Sequence, residues 1–193
     1  LFRSSMLRRL GCPVHDADAT VHRLYAKGGR AVPRVQALFP EAVRNGAVDR
    51  AALAACVLGR PDSLKRLEAA VHPLTRADAD DFLKRWARQR VPVVVMDIPL
   101  LFETRGERRV DAVAVVSAPA WLQRQRVLAR SGMNPAKLAN ILARQVPDRV
   151  KRRRADFVVP TGLGRRLTLC HLRRIVSVLK HRRGQVWSPA RKA

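Results

Sequence analysis

The segment VPVVVMD, from Val91 to Asp97, decides the class of fold. Its apolar residues follow one another without polar alternation, a pattern typical of a strand that is buried on both faces of a parallel sheet. The run VDAVAVVSAP at residues 110–119 has the same character. Two shorter β-prone segments, CPVHD at 12–16 and DFVVP at 156–160, end in a polar residue or a proline. We predict a strand in each of these four segments.

Helical patterns separate the predicted strands. The segment DRAALAACVLG has a capping residue, Asp49, at its start and a glycine at its end. The next segment, PDSLKRLEAAVHPL, opens with Pro61 and places Leu64, Leu67 and Val71 on one helical stripe. Strands that alternate with helices predict an α/β fold with a doubly wound parallel sheet, in which ligands bind at the carboxyl ends of the strands.

The chain length of 193 residues fits one domain, which we place at residues 1–180. Residues 121–154 are helical, rich in arginine and interrupted by SGMNP, and we interpret them as a mobile flap. Residues 181–193 form a basic tail without apolar periodicity, which we expect to be disordered. His72 and Pro73 interrupt a helical pattern, so we expect the helix to break there and the imidazole to pack against the protein.

The formal net charge of +24 attracts polyanions of every kind, including nucleic acids, acidic membranes and nucleotide phosphates. Solvated basic faces are the simpler interpretation, because the few aromatic residues are not interleaved with the basic runs. No apolar run approaches the roughly 20 residues that span a bilayer, so we expect no membrane insertion. Cys12, Cys56 and Cys170 lack the spacing of a zinc site or a disulfide framework, which favours a cytoplasmic protein.

The first candidate site is the motif HDADATVH at residues 15–22. It places acids where a predicted strand ends and a helix begins, the usual ligand position in this fold class. Asp18 and His22 are four residues apart and share a helical face, although Asp18 is also a natural N-cap and His22 could simply pair with it. We predict that Asp16 has no capping role and points into the cleft, where its carboxylate deprotonates an attacking hydroxyl.

The second candidate is Asp97, which a predicted buried strand delivers to its carboxyl end. In a kinase, an acid at this position lies near the metal and the nucleophile. The alternative is that Asp97 caps a helix that follows it.

Basic residues between 130 and 154 form the third candidate. Phosphoryl transfer spreads negative charge over the transferred group, and arginine supplies planar, permanently charged donors to meet it. We expect most of these charges to be solvated. Arg144 and Arg154, at the ends of the flap, are the strongest candidates.

Six motifs, taken in order and with their spacing, resemble a known family: HDADATVHRLY, FPEAVRNGAVDRAAL, LEAAVHPLTR, VVVMDIPLLFE, SGMNPAKLANILARQVP and KRRRADFVVPTG. They are similar to the bacterial dephospho-coenzyme A kinases, and the resemblance covers residues 7–164. It implies transfer of the ATP γ-phosphoryl group to the ribose 3′-hydroxyl of dephospho-coenzyme A, with Mg²⁺ as cofactor. The implied fold is a P-loop kinase core with a helical coenzyme A-binding part at about residues 26–90 and a lid at about 121–154.

The resemblance also implies roles for individual residues, and none of them is a metal ligand. Asp16 matches the catalytic base. The implied substrate-binding residues are Asp18, His22, Tyr25, His72, Arg76 and Asp97. The implied ATP and lid residues are Arg130, Arg144 and Arg154.

The phosphate-binding loop of such kinases, G-x-x-x-x-G-K-[ST], does not occur in the 193 residues. Without its backbone N–H groups, lysine and hydroxyl, we expect these residues alone to turn over little or no substrate. Because the chain starts with Leu1 rather than methionine, we expect a truncation that also removes a central strand of the sheet, and the alternative is a degenerate remnant that has lost the loop. Two other interpretations stay open: a non-catalytic, basic nucleic-acid-binding protein, and another nucleotide or nucleoside kinase.

Overall fold

The computed structural model describes residues 2–187 as an α/β protein. Its helices are α1 (Phe2–Arg9), α2 (Ala17–Tyr25), α3 (Val32–Leu38), α4 (Arg50–Val57), α5 (Pro61–Arg88), α6 (Ala120–Leu128), α7 (Pro135–Ala143), α8 (Asp148–Arg154) and α9 (Arg165–Lys180). Its strands are β1 (Val14–Asp16), β2 (Val43–Arg44), β3 (Ala47–Val48), β4 (Val95–Asp97), β5 (Ala114–Ser117) and β6 (Phe157–Pro160). All four predicted strands are present, and each is shorter than the segment that predicted it.

The strands pair as two parallel ladders and one hairpin. β1 lies parallel to β4, with Asp16 opposite Asp97 at their carboxyl ends. β5 lies parallel to β6 over four residues of each strand. β2 and β3 form an antiparallel hairpin whose turn residues, Asn45 and Gly46, both have positive φ, 52° and 75°. The parallel pairing confirms the predicted α/β class.

The structure divides into two compact units, and the prediction of a single domain over residues 1–180 stays a prediction. Within residues 2–187, the first unit is Pro13–Ile98, and the second combines the residues up to Cys12 with those from Pro99 onward. In the first unit, the long helix α5 packs against α2, α3 and α4. The side chains between these helices form a buried apolar core that includes Leu24, Val32, Val35, Phe39, Leu53, Leu67, Val71 and Leu74.

Helix α5 begins at Pro61, as predicted, but it differs from the prediction at two places. Leu67 and Val71 are buried, whereas Leu64 is 43% exposed and lies off the buried stripe. The expected break at His72 and Pro73 is wrong, because the helix continues to Arg88 and the His72 side chain is exposed. Proline costs a helix one backbone donor and crowds the carbonyl group four residues earlier. Burial of Val71 on one side and Leu74 on the other keeps the chain helical across it.

The second unit is built on the β5–β6 pair. Helix α9 packs on β6 and α1 packs on α9, which buries Met6, Val159 and Leu172 together. The Asp156 carboxylate accepts a hydrogen bond from the Val113 N–H at 2.8 Å and so joins the segments that lead into the two strands.

Helices α6, α7 and α8 occupy the stretch 121–154 that was predicted to be helical. Their mobility stays a prediction. The segment 181–187 follows α9 without further helix, and Asp111 accepts hydrogen bonds from the backbone N–H groups of Gln185 and Val186. The rest of the tail that we expected to be disordered, residues 188–193, lies outside the described residues.

All three cysteines are unpaired thiols. Within residues 2–187, every helix is too short or too polar to cross a bilayer.

Helix α5 offers a matched test of this packing. We expect Leu67→Ala to lower the free energy of unfolding by about 2–5 kcal/mol, because it opens a cavity in the core of the first unit. Leu64→Ala makes the same change one turn earlier on the exposed face and should cost less than about 1 kcal/mol. Urea denaturation of both variants measures the difference, and equal losses would contradict the assignment of the buried stripe.

Candidate active site

The end of β1 and the start of α2 are joined by Asp16. This residue is the last of β1 and also the N-cap of α2, where its Oδ1 accepts a hydrogen bond from the Ala19 N–H at 2.9 Å. The prediction that Asp16 has no capping role is therefore wrong, and so is the alternative that Asp18 is the cap. Because β1 extends to Asp16, helical geometry begins at Ala17 and places Asp18 inside the first turn. The cap to Ala19 therefore engages one oxygen of the Asp16 carboxylate, Oδ1.

Asp97 lies directly beside Asp16. The two residues are register partners on adjacent parallel strands, and residues in register project from the same face of a sheet. Both carboxylates are therefore presented at the same edge, and Asp97 is exposed there. The next α-helix in the chain is α6, whose cap is Pro119, so the alternative that Asp97 caps an α-helix is wrong.

The other substrate-binding residues that the resemblance implies lie on α2 and α5 of the same unit. Asp18 and His22 are exposed on one face of α2, and His72 and Arg76 are exposed one turn apart on α5. Tyr25 ends α2 half-buried against the core. Burial raises the pKa of its phenol, and the charge of Arg50 opposes that rise. All seven acceptor-side residues thus belong to the first unit.

A polar cluster that the sequence analysis missed lies beside the β1–α2 junction. The Asp78 carboxylate, on α5, accepts hydrogen bonds through Oδ2 from His15 Nε2, Thr20 Oγ1 and Arg23 Nη2, each at 3.0 Å. His15 is 6% exposed and its ring meets that of Phe82 edge-on, with centroids 5.3 Å apart. Burial raises the pKa of Asp78, but hydrogen bonds from His15 and Thr20 and the charge of Arg23 outweigh it and hold that pKa below its ordinary value.

The sequence does carry one signal for Asp78. The buried residues Leu67, Val71 and Leu74 are spaced by four and three positions, and the next step of four along the same stripe is Asp78. A carboxylate on an apolar stripe requires hydrogen-bond partners when it is buried. Its partners could not be named from the sequence, because they lie 55 to 63 residues away.

The arginines implied for ATP and the lid lie in the second unit. Arg130 and Arg144 are exposed, and Arg144 is the C-cap of α7. Arg144 also lines a shallow depression of about 270 Å³ together with Met133, Lys137, Asn140 and Ile141. Both guanidinium groups are therefore accessible to an anion.

Arg154, at the end of α8, is instead engaged by protein groups. It forms an ion pair with Glu107, and its guanidinium lies over the Phe102 ring, 4.7 Å from the centroid. Lys151, one turn earlier on α8, pairs with Glu103 at 2.7 Å. Two glutamates thus hold the basic helix α8 to the segment that follows β4.

Glu103 is partly buried and accepts more than one hydrogen bond. Its Oε1 accepts hydrogen bonds from Lys151 Nζ and from the Val146 N–H, while its Oε2 is buried without a partner among the described residues. Burial raises the pKa of Glu103, but the Lys151 hydrogen bond, backbone hydrogen bonds and the Lys151 charge together hold the pKa below its ordinary value.

Parallel strands that end in neighbouring carboxylates, with arginine-bearing helices in the same chain, fit the acceptor side of an α/β phosphotransferase of the kinase type. The model of the dephospho-CoA kinase family matches residues 2–162. The chain therefore belongs to the dephospho-CoA kinase family, and the resemblance found in the sequence motifs is confirmed.

Individual relatives agree with this assignment. The dephospho-CoA kinase of Paramagnetospirillum magneticum is 61% identical over 177 residues, which cover 92% of this chain and 84% of the relative. The dephospho-CoA kinase of Mesorhizobium japonicum is 55% identical over 181 residues, with 94% and 91% coverage.

Solved structures share the fold. TT1252 from Thermus thermophilus superimposes with a TM-score of 0.77 at 35% identity, over 91% of this chain and 88% of that one. The dephospho-CoA kinase of Campylobacter jejuni, 17% identical, gives a TM-score of 0.62 over 92% and 90% of the two chains, which supports the fold.

The depressed pKa of Glu103 predicts a pH-dependent contribution to stability. A carboxyl group whose folded-state pKa lies below its ordinary value of 4.5 stabilises the protein above that pH, and the contribution is lost as the pH falls through the folded-state pKa. Glu103→Gln should therefore lower the free energy of unfolding by about 1–3 kcal/mol at pH 7, and the gap from the native protein should narrow toward pH 3. Denaturant titrations at both pH values measure it. The exposed Glu68→Gln is the control, and a gap that does not change with pH would contradict the prediction.

Proposed function

We propose that the protein transfers the γ-phosphoryl group of ATP to the ribose 3′-hydroxyl of dephospho-coenzyme A. The observation that carries this proposal is the pair of carboxylates, Asp16 and Asp97, side by side at the carboxyl ends of parallel strands in a chain of the dephospho-CoA kinase family. The two relatives given above are dephospho-CoA kinases, so family membership indicates the substrate. The strand ends provide the carboxylate that the reaction needs as a base.

In the proposed reaction, Asp16 is the general base. The 3′-hydroxyl oxygen attacks the γ-phosphorus, the bond from that phosphorus to the β–γ bridging oxygen breaks, and ADP leaves. The hydroxyl proton passes to the carboxylate of Asp16. Because the Ala19 N–H holds Oδ1, the oxygen that receives the proton is Oδ2. A base oriented in this way contributes typically 10²–10⁴-fold to the rate.

The proposal includes Mg²⁺. The described residues contain no group of three or more acidic, histidine or cysteine side chains that could hold a metal ion. Magnesium is usually bound through only one or two carboxylates together with substrate phosphates, and Asp97, which lies beside the proposed base, would be the carboxylate that holds it. When bound, the ion neutralises charge on the phosphate oxygens.

The remaining residues divide the binding of the two substrates. We propose that Asp18, His22, Tyr25, His72 and Arg76 bind dephospho-coenzyme A, and that Arg130 and Arg144 contact the phosphates of ATP. We propose a different role for Arg154, because its pairing with Glu107 lets it hold α8 in place.

Three unpaired thiols are the usual state in a reducing compartment, so we also propose a cytoplasmic location.

The complete gene product should transfer radiolabelled phosphate from γ-labelled ATP to dephospho-coenzyme A in preference to other nucleosides and nucleotides. Asp16→Asn should lower kcat by at least about 100-fold, because the amide cannot take a proton. Asparagine caps a helix as well as aspartate does, so the fold should be kept. The control is Asp81→Asn, an exposed position on α5.

Two results would count against these assignments. No transfer to dephospho-coenzyme A by the complete gene product would reject the proposed reaction. Transfer that Asp16→Asn leaves unchanged would keep the reaction but reject Asp16 as the base.

Arg144 gives a separate test on the ATP side. We expect Arg144→Ala to lower kcat/KM for ATP by about 10-fold or more, because it removes a charged donor to phosphate, while the KM for dephospho-coenzyme A stays the same. Arg124→Ala removes an exposed arginine from α6 and should have little effect. Steady-state kinetics with each substrate varied separately distinguish the outcomes, and equal behaviour of the two variants would exclude a role for Arg144.

A further inference from the structure

The Asp78 carboxylate connects the core side of α5 to two neighbouring elements. It lies on the stripe that Leu67, Val71 and Leu74 begin, and its side chain is 30% exposed. Its partners come from β1, which contributes His15, and from α2, which contributes Thr20 and Arg23. One carboxylate therefore ties three elements of the first unit together.

These partners flank Asp16 in the chain. His15 immediately precedes it on β1, and Thr20 and Arg23 follow it on the first turns of the helix that Asp16 caps. Arg23 also donates to Thr20 Oγ1 at 2.9 Å, so the two α2 side chains support one another. The position of the Asp16 backbone is thus fixed from the strand side and from the helix side by contacts to the same acceptor.

The environment of His15 determines which ring nitrogen carries the proton. Nε2 lies 3.0 Å from the Asp78 carboxylate and Nδ1 is buried with no partner among the described residues. An N–H group buried without an acceptor is costly. The network therefore requires the tautomer that is protonated at Nε2, which donates to Asp78 while Phe82 packs against the ring edge-on.

We propose that Asp78 is a positioning residue for Asp16: through His15, Thr20 and Arg23 it holds the β1–α2 junction so that the Asp16 carboxylate keeps both its cap to Ala19 and its orientation toward the acceptor hydroxyl. This inference rests on the proposed function for the identity of the reaction. It adds a residue that contacts no reacting atom and acts through three others. Misplacement of a reacting group by about 1 Å can cost about 100-fold in rate, so such a brace affects turnover.

The hold on Asp16 can be measured without turnover. The Ala19 amide is protected from hydrogen exchange by its bond to Asp16 Oδ1, and the Ala52 amide is protected in the same way by Asp49 at the start of α4. In Asp78→Asn we expect exchange at Ala19 to be faster by about 10-fold or more. Exchange at Ala52 should change much less, which separates local loosening from a general loss of stability. Asp81→Asn, the same charge change on the exposed face of α5, should alter neither amide.

Kinetics of the complete gene product give the second measurement. Asp78→Asn should lower kcat by about 10-fold or more with the KM for ATP unchanged, whereas Asp81→Asn should match the native enzyme. Thr20→Val removes one donor but keeps the side-chain shape, so it should cause a smaller loss of kcat in the same direction. If Asp78→Asn does not fold, kcat and Ala19 exchange are both measured on Thr20→Val instead.

The outcomes separate this inference from the proposed function. If the native enzyme is active and the Asp78→Asn and Thr20→Val variants match Asp81→Asn in kcat and in Ala19 exchange, the inference is overturned. If the native protein does not phosphorylate dephospho-coenzyme A, the proposed function fails, and the exchange rate of Ala19 still decides whether Asp78 holds Asp16. An imidazole nitrogen spectrum of native His15 that shows a proton on Nδ1 would also overturn it.

Discussion

In-register pairing of β1 with β4 is the constraint on which the candidate site depends. The ladder is only three residues long, and the bond from the Val95 N–H to the Pro13 carbonyl, 2.9 Å, adjoins its first pair. A slip of one residue would turn the Asp16 carboxylate to the opposite face of the sheet and away from Asp97. Such a short ladder cannot be stable by itself. The helices that pack in the same unit, and the contacts of His15 with α5, therefore maintain the register.

Local signals in the sequence predicted the elements, while the placement of single residues depended on their exact boundaries. The valine-rich runs became strands, Asp49 caps α4 and Pro61 opens α5, because each of these signals acts over a few residues. The prediction that Asp16 has no capping role was wrong, since the hydrophobic pattern locates a strand–helix junction only to within a residue or two. The predicted break at Pro73 was wrong because tertiary packing on both sides of it overrides a single lost donor.

The sequence pattern could not predict contacts between residues that are far apart in the chain. The sequence of the basic helix α8 predicts a solvated charged segment. In the structure, Lys151 pairs with Glu103 and Arg154 pairs with Glu107, and both glutamates lie more than 40 residues earlier. Arg144, by contrast, is exposed as its sequence context suggests. Within one run of arginines and lysines, the structure thus separates charges that hold the fold from charges that are available to an anion.

The cluster around Asp78 also bears on how this family can change. His15, Thr20 and Arg23 all depend on one acceptor that lies 55 to 63 residues away in the sequence. An apolar residue at position 78 alone would leave the buried donors of His15 and Thr20 unsatisfied, at about 1–3 kcal/mol for each. A homologue that loses the acid at position 78 must therefore also replace the residues that donate hydrogen bonds to it. Positions 15, 20, 23 and 78 should consequently covary among homologues.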